Sequence, residues 1–353
     1  LTEPREIHYK QGRAKCQHRN LCQRGCPYGG YFSSNASTLP WAKMTGNLTL
    51  RPDSVVHSII YDEKKGKAAG VRVIDTNTHE ATEYFAKVIF VNAACLNSNL
   101  LLLHSTSTRF PNGLGNDNGL LGKYIAFHDY RGNITASLEG FQDTYEYGRK
   151  PTAAMMPNFR NVYKQETDFL RGYMVHYSAS RSNWRMGAES IGAEFKNSLT
   201  EPGEWSIYMM MQGETIPQEH NHVRLSSDQK DQWGIPLLVT SIAYADNDDK
   251  LFKDFLVQGA EMLDKAGCKN IHAFDNGRVP GNDIHEMGGV RMGNDPKTSL
   301  LNKWNQLHHC PNVLVTDGAC MVSTGSQNPS LTFMALTARA VDHAVEELKK
   351  GDL

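Results

Sequence analysis

The sequence predicts a mixed α/β (α+β) protein in which part of a doubly wound parallel sheet is joined to a second region built on an antiparallel sheet. Three observations predict it. Residues 87–92 form a continuous apolar run of the kind buried on both faces in a parallel sheet, ending in Ala93, Ala94 and Cys95 before a leucine-rich helix. From about 131 to 279 the pattern changes to alternating strands separated by polar loops. After residue 330 apolar side chains recur at helical spacing, so a long helix closes the chain.

Residues 1–15 are polar and carry no usable pattern. Cys16, Cys22 and Cys26 then fall close together in a chain that holds only seven cysteines. Such thiols ligate a metal, pair as a disulfide or pack as small hydrophobes. His18 could complete a zinc set, although the spacing lacks a short Cys-x2-Cys knuckle. Cys95, Cys268, Cys310 and Cys320 sit in apolar surroundings and read as buried packing residues. Strands at 48–51, 54–61, 69–75 and 82–86, with a turn at 62–66, predict a small antiparallel meander.

A strand ending in small residues at a helix start is where a doubly wound sheet admits a ligand, so Ala93 and Ala94 are candidate contacts; tight helix–strand packing is the alternative. His128 lies alone on an apolar stretch and reads as a core histidine outside the site. In the second region, strands are expected at 133–138, 171–177, 206–214 and 222–225, and a helix at about 248–266. Arg181, Asn183, Trp184 and Arg185 offer the donors and aromatic face that a sugar needs, with no diagnostic spacing.

The last seventy residues organise the rest. His285-Glu286-Met287-Gly288-Gly289-Val290-Arg291-Met292-Gly293 is followed by a strand ending near Asp317 and Gly318, then by Asn328 as N-cap and Pro329 at N1 of the closing helix. Leu331, Met334, Ala335, Ala338, Val341, Val345 and Leu348 predict its buried stripe. A helix N-terminus offers unpaired N–H groups and partial positive charge to an anionic neighbour.

These segments resemble the glucose–methanol–choline (GMC) flavoprotein oxidoreductases: a His-x-x-Gly-x-x-x-Met-Gly signature at His285, a closing strand through Val315-Thr316-Asp317-Gly318-Ala319, and Asn328-Pro329-Ser330-Leu331-Thr332 at a helix start. The wording around His285, Asn294 to Ser299 and Asn328 is similar to the bacterial sugar-dehydrogenase branch, glucoside 3-dehydrogenases and related 3-oxidases among them. The resemblance implies FAD, with Ala93, Ala94, Asp317, Gly318, Asn328, Pro329 and Thr332 near it. It implies a base at His285 that takes the hydroxyl proton of an alcohol while hydride passes to the flavin, and Asn328 orienting that hydroxyl. An imidazole that titrates near neutrality suits such work. Some members of the branch hold a 3Fe-4S cluster on a similar cysteine triplet, so the resemblance favours a cluster over zinc at Cys16, Cys22 and Cys26, with reduced structural thiols as the alternative. It implies three regions: 1–130, part of the FAD-binding domain with the triplet and meander; 131–279, a substrate-binding domain; and 280–353, the return to the FAD-binding domain.

Such a flavoprotein opens with a Gly-x-Gly-x-x-Gly turn between strand and helix. Gly113-Leu114-Gly115-Asn116-Asp117-Asn118-Gly119 follows a loop rather than a strand and is rejected as that turn. The resemblance therefore implies the C-terminal two-thirds of a complete enzyme. A sterol or other alcohol oxidase or dehydrogenase of the same family, and a non-catalytic accessory subunit or fragment, are the competing readings. A net charge of −1 without a basic run gives no electrostatic case for nucleic acid or an anionic membrane, and apolar runs such as 100–103 are far too short to span a bilayer. The expected partners are a small sugar or glycoside and an electron-acceptor subunit or cytochrome. The compartment, periplasmic or cytoplasmic, stays unassigned.

Overall fold

The computed structural model describes residues 1–19, 22–144, 154–181, 191–198, 200, 203–282 and 284–353. Short helices α1 (Glu6–Lys10) and α2 (Thr38–Met44) flank the cysteine loop, where Cys22–Arg24 forms one 3-10 turn. Strands β1 (Ser54–Asp62), β2 (Lys67–Asp75) and β3 (Ala81–Phe85) then form the expected antiparallel meander. Its turns are closed locally: Asp62 Oδ1 accepts from the amides of Lys64 and Lys65, and Asp75 Oδ1 from those of Asn77 and Thr78. The strand expected at 48–51 does not form. Leu48 and Leu50 stay exposed ahead of β1.

Next come β4 (Ile89–Val91) and α3 (Cys95–His104), then β5 (His128–Asp129), β6 (Gly132–Leu138), β7 (Ala154–Met156) and β8 (Tyr173–Arg181). Helix α4 (Ala193–Ser198), β9 (Trp205–Glu214), β10 (His222–Lys230), β11 (Pro236–Ser241), α5 (Asp246–Lys265) and β12 (Lys269–Asp275) follow. The antiparallel sheet runs β12-β6-β9-β8-β7, and β5 pairs with the end of β9. Against it α5 buries Leu251, Phe255, Gly259 and Leu263, four residues apart on one face, in a core shared with Ile134, Tyr173 and Met211. The strand expected at 222–225 is not part of this sheet; it lengthens into β10, which forms a separate hairpin with β11 and bridges to Lys123 at His222.

The chain returns through β13 (Gln306–Leu307) and β14 (Cys310–Val315) to α6 (Ser330–Lys350). β14 lies parallel to β4, with Val313 opposite Ile89 and Val315 opposite Val91, and both strands are buried as the apolar run predicted. The closing helix departs from expectation in two ways. It begins one residue later, with Pro329 in the cap position and no side-chain cap. The predicted stripe is also turned outward: Leu331 is 79 % exposed, and Met334, Ala335, Ala338, Val341, Val345 and Leu348 are all exposed. The helix instead packs through the small side chains Ala340 and Ala344, four residues apart, onto Leu314 of β14. Small residues permit that close approach, and the wider apolar face has no counterpart among the described residues.

The segment from Ile284 to Met292 is laced between two others. Ala126 and Met287 exchange backbone hydrogen bonds of 2.9 and 2.8 Å, while Gly288 N–H donates to Gly318 O and Val290 N–H to Ala319 O, each at 3.0 Å. Gly288 sits at φ +91, and a Cβ there would lie 2.2 Å from Tyr124 O; at Gly289, φ +84, it would lie 2.0 Å from Asn99 Oδ1. Neither position tolerates a side chain, because both the dihedral and the neighbour forbid it.

Two stability outcomes follow from these contacts. Gly288→Ala should cost more than the about 1–3 kcal/mol of a left-handed non-glycine residue, since the clash adds to the strain. Gly12→Ala, at φ +75 with nothing within 4 Å, carries the dihedral cost alone; equal urea midpoints for the two variants would contradict this. The second outcome concerns Asp248, buried in the first turn of α5, where its Oδ2 accepts from Ala245 N–H at 2.8 Å. Burial raises its carboxyl to about 6 against that hydrogen bond. The folded state thus holds the proton more tightly than the unfolded chain, and stability falls as pH rises from about 4 to 6. Asp248→Asn keeps the acceptor and cannot ionise. Its melting temperature relative to the parent should be higher at pH 8 than at pH 4, by up to about 2–3 kcal/mol of stability; an unchanged difference would refute it.

Candidate functional site

The site grows out of the backbone ladder just described. Ala126 and Met287 are antiparallel partners, so two residues along each strand His128 falls opposite His285, and His128 N–H points at Ile284 O. The rings meet edge to face with centroids 5.0 Å apart, and their Nδ1 atoms are 2.9 Å apart. His285 is half-buried and sits at φ +68, a conformation a non-glycine side chain adopts only when its surroundings enforce it. The ladder on either side supplies that enforcement.

Further polar groups close in behind the two rings. His128 Nε2 lies 2.7 Å from Gly325 O. Tyr130 OH donates to Gln212 Oε1 at 2.5 Å and stands 3.4 Å from His285 Nδ1, and His176 Nε2 lies 2.6 Å from the same Gln212 Oε1. Gln212 Nε2 donates to Ser326 O at 2.9 Å. His128 and Gln212 are fully buried, and Tyr130 is nearly so. Burial drives the His128 imidazole down to about 4, with the neighbouring His285 and His176 working in the same direction and Gly325 against it. Burial, aided by His176, also holds His285 below the ordinary imidazole value. Burial thus disfavours the charged form of both His128 and His285.

His128 is therefore not an isolated core histidine. It is buried, as a core histidine is expected to be, and it also contacts His285, which the sequence did not reveal. Tyr130, His176 and Gln212 were missed altogether, because their signal is registration: Gln212 lies opposite Met174 across β9 and β8, two residues from His176, and no spacing along the chain reveals that.

The other predicted residues divide into two groups. Asp317 and Gly318 are at the C-terminal end of β14, beside the end of β4. Asp317 caps the 3-10 turn Gly318–Cys320 through Ala319 N–H and accepts from Ser98 of α3; burial raises its carboxyl against those bonds. Gly318 is buried against Glu286 O. Ala93 and Ala94 are exposed at the end of β4, where α3 begins, and Asn328 and Thr332 are exposed at the start of α6, with Pro329 buried between them. Thr316 Oγ1 links the two sides, donating to Asn92 Oδ1 at 2.8 Å and accepting from Thr337 of α6 at 2.9 Å. This edge fits one flank of a flat electron-accepting ring: two methyl side chains, an exposed backbone and the unpaired N–H groups of α3.

Arg181 is committed elsewhere, donating to Gly203 O at 2.5 Å, Thr144 O at 3.1 Å and the Gln142 side chain at 2.6 Å, so it is a structural residue and not a sugar donor. Asn183, Trp184 and Arg185 lie outside the described residues. Cys16, Cys22 and Cys26 are half-buried free thiols lining one cavity of about 40 Å³ with His18. Among the described residues no group of three or more His, Cys, Asp or Glu side chains is gathered to hold a metal ion.

Comparison with known proteins bears on this geometry. The N-terminal and C-terminal GMC oxidoreductase family models match residues 6–128 and 217–337, together more than half of the chain. The chain is 30 % identical to the 2-methyl-1,2-propanediol dehydrogenase of Mycolicibacterium austroafricanum over 90 % of its own length and 58 % of that protein. It is 24 % identical to the fructose dehydrogenase large subunit of Gluconobacter japonicus, over 96 % of this chain and 61 % of that one. Among solved structures, formate oxidase of Aspergillus oryzae superposes with a TM-score of 0.63 at 12 % identity, over 89 % of this chain and 63 % of that one, a likeness of fold. The chain thus spans about three-fifths of the length of these relatives. On the match of both halves of the family pattern, this chain belongs to the GMC oxidoreductase family.

Proposed function

We propose that this chain carries the proton-abstracting half of an FAD-dependent oxidation of a CH–OH group, with a ring hydroxyl of a sugar or glycoside as substrate. The observation that carries the reading is the placement of His285, a half-buried imidazole with lowered proton affinity. Its segment is hydrogen-bonded to Gly318 at the joined ends of β4 and β14. Bound there, the flavin supplies the hydride acceptor. Residues Ala93, Ala94, Asp317, Gly318, Asn328, Pro329 and Thr332 are the candidates to hold it.

In this reading His285 takes the hydroxyl proton and Asn328 orients the same oxygen. Asn328 lies two residues beyond Ser326, and the carbonyls of Gly325 and Ser326 are engaged by His128 and Gln212, so the histidine cluster and the start of α6 are tied together. The relatives named for a diol and for fructose support a polyhydroxylated substrate. A 3-hydroxyl of a glucoside is the finer reading, drawn from the branch resemblance. An electron-accepting partner subunit is proposed on the same footing, supported by a relative named as a large subunit.

For the cysteine triplet we propose a 3Fe-4S cluster on Cys16, Cys22 and Cys26, supported by the cavity the three thiols share. Burial raises the Cys26 thiol, but the amides of Tyr31, Tyr28 and Gly30 outweigh it and leave the thiol below its ordinary value, as a thiolate ligand requires. The side chains do not converge as a ligand set, and no step of the reaction is assigned to a cluster.

Two outcomes test these readings. In the FAD-loaded enzyme His285→Ala should keep its flavin spectrum and lose roughly 10²- to 10⁴-fold in the rate at which a polyol bleaches it anaerobically; bleaching at the parental rate would remove His285 from the mechanism. Cys22→Ser should abolish bound iron and its electron paramagnetic signal in the same enzyme. Parental protein that contains flavin but no iron would leave the three thiols as packing residues.

A further inference from the structure

We propose that His128 is a positioning residue that presents His285 as its Nδ1–H tautomer, leaving Nε2 as the proton-accepting face. This rests on the assignment of His285 as the base. The argument is one of proton count along a chain of short contacts. A backbone carbonyl can only accept, so the His128 nitrogen 2.7 Å from Gly325 O is the one that carries a hydrogen. A neutral His128 then has a lone pair at Nδ1. The Nδ1 of His285, 2.9 Å away, must supply the hydrogen, since two lone pairs at that distance repel.

The alternatives fail on the same contacts. Reversing the tautomer of His128 sets its Nε2 lone pair against the carbonyl of Gly325. Protonating both nitrogens places a cation on a ring with no exposed surface, beside two more imidazoles, and burial there drives the proton affinity far down.

A second branch points the same way. Gln212 is oriented by its Nε2 donating to Ser326 O, which turns Oε1 toward both Tyr130 OH and His176 Nε2. The Tyr130 hydrogen is thereby committed to Gln212, and its oxygen faces His285 Nδ1 as an acceptor at 3.4 Å. Both groups behind the His285 ring therefore accept, and neither can donate to it. The hydrogen is held on Nδ1, which leaves the lone pair on Nε2. The same bonds anchor the carbonyls of Gly325 and Ser326, fixing the loop that leads to Asn328 against the ring it would work with.

The test uses ¹⁵N-histidine-labelled enzyme and long-range nitrogen–proton correlation, with His285 assigned by its loss in His285→Ala. The expected spectrum has a pyrrole-type Nδ1 and a pyridine-type Nε2 on His285, and both signals move toward a tautomer average in His128→Phe. In the FAD-loaded enzyme that variant should lose about ten- to a hundredfold in kcat with KM little changed, while His128→Asn, which returns an acceptor oxygen near Nδ1, recovers most of it. The asparagine variant also serves if phenylalanine prevents folding. A pyridine-type Nδ1 on His285 in the parent overturns the proposal even when His285→Ala is inactive. A pyrrole-type Nδ1 with undiminished His285→Ala turnover overturns the base assignment instead, so the two failures are told apart.

Discussion

The structure depends on a short backbone ladder that two glycines make possible. Met287 pairs with Ala126 while Gly288 and Val290 bond to Gly318 and Ala319, so three segments distant in sequence meet within a few ångströms. A Cβ at Gly288 or Gly289 would enter Tyr124 O or the Asn99 amide and push the segments apart. Nearly everything in the site is a consequence of that registration. It sets His128 opposite His285, brings the start of α3 to Gly288 through Asn99 Nδ2 at 3.0 Å, and places the candidate base beside the ends of β4 and β14.

Around this ladder the imidazoles and Gln212 are bonded to one another and to backbone carbonyls, whereas the buried Asn99 Oδ1 beside Gly289 has no hydrogen-bond partner. A buried imidazole that kept a charge would cost far more than its hydrogen bonds return, so His128 is neutral and the hydrogens around it are ordered by which neighbours can only accept. Gly325 O and Ser326 O are the fixed points. Just beyond the cluster, Arg131 is bound to Asp129 and Asp249 and lies 3.7 Å over the Tyr244 ring, so the chain leaving β5 is held by a partly buried ion pair rather than by apolar contacts alone.

Much of this was legible in the sequence wherever a feature is local. The meander, the apolar strand before the leucine helix, the helix of the second region and the burial of Cys95, Cys268, Cys310 and Cys320 each follow from period, turn chemistry or composition over a short window, and each is present. The family followed from motif wording and is matched along both halves of the chain. What could not be read depends on partners. The apolar stripe from Leu331 to Leu348 has the periodicity of a buried face, yet periodicity reports amphipathicity and not which neighbour covers it; here Ala340 and Ala344 make the contact. His128 reads as a core histidine and is one, but its contact with His285 leaves no trace in the sequence, because it depends on the pairing of two distant segments. Arg181 looked like a donor for a ligand and is consumed by carbonyls of its own fold.

The central claim is that His285 acts as a neutral base of lowered proton affinity, and the most direct measurement is the pH dependence of single-turnover flavin reduction by a saturating polyol in the FAD-loaded enzyme. Burial lowers the His285 value, so the account predicts that the rate rises with pH along a single limb centred below about 6.5 and levels off above it. A rate still climbing above about pH 7, or one that does not depend on pH at all, would contradict it.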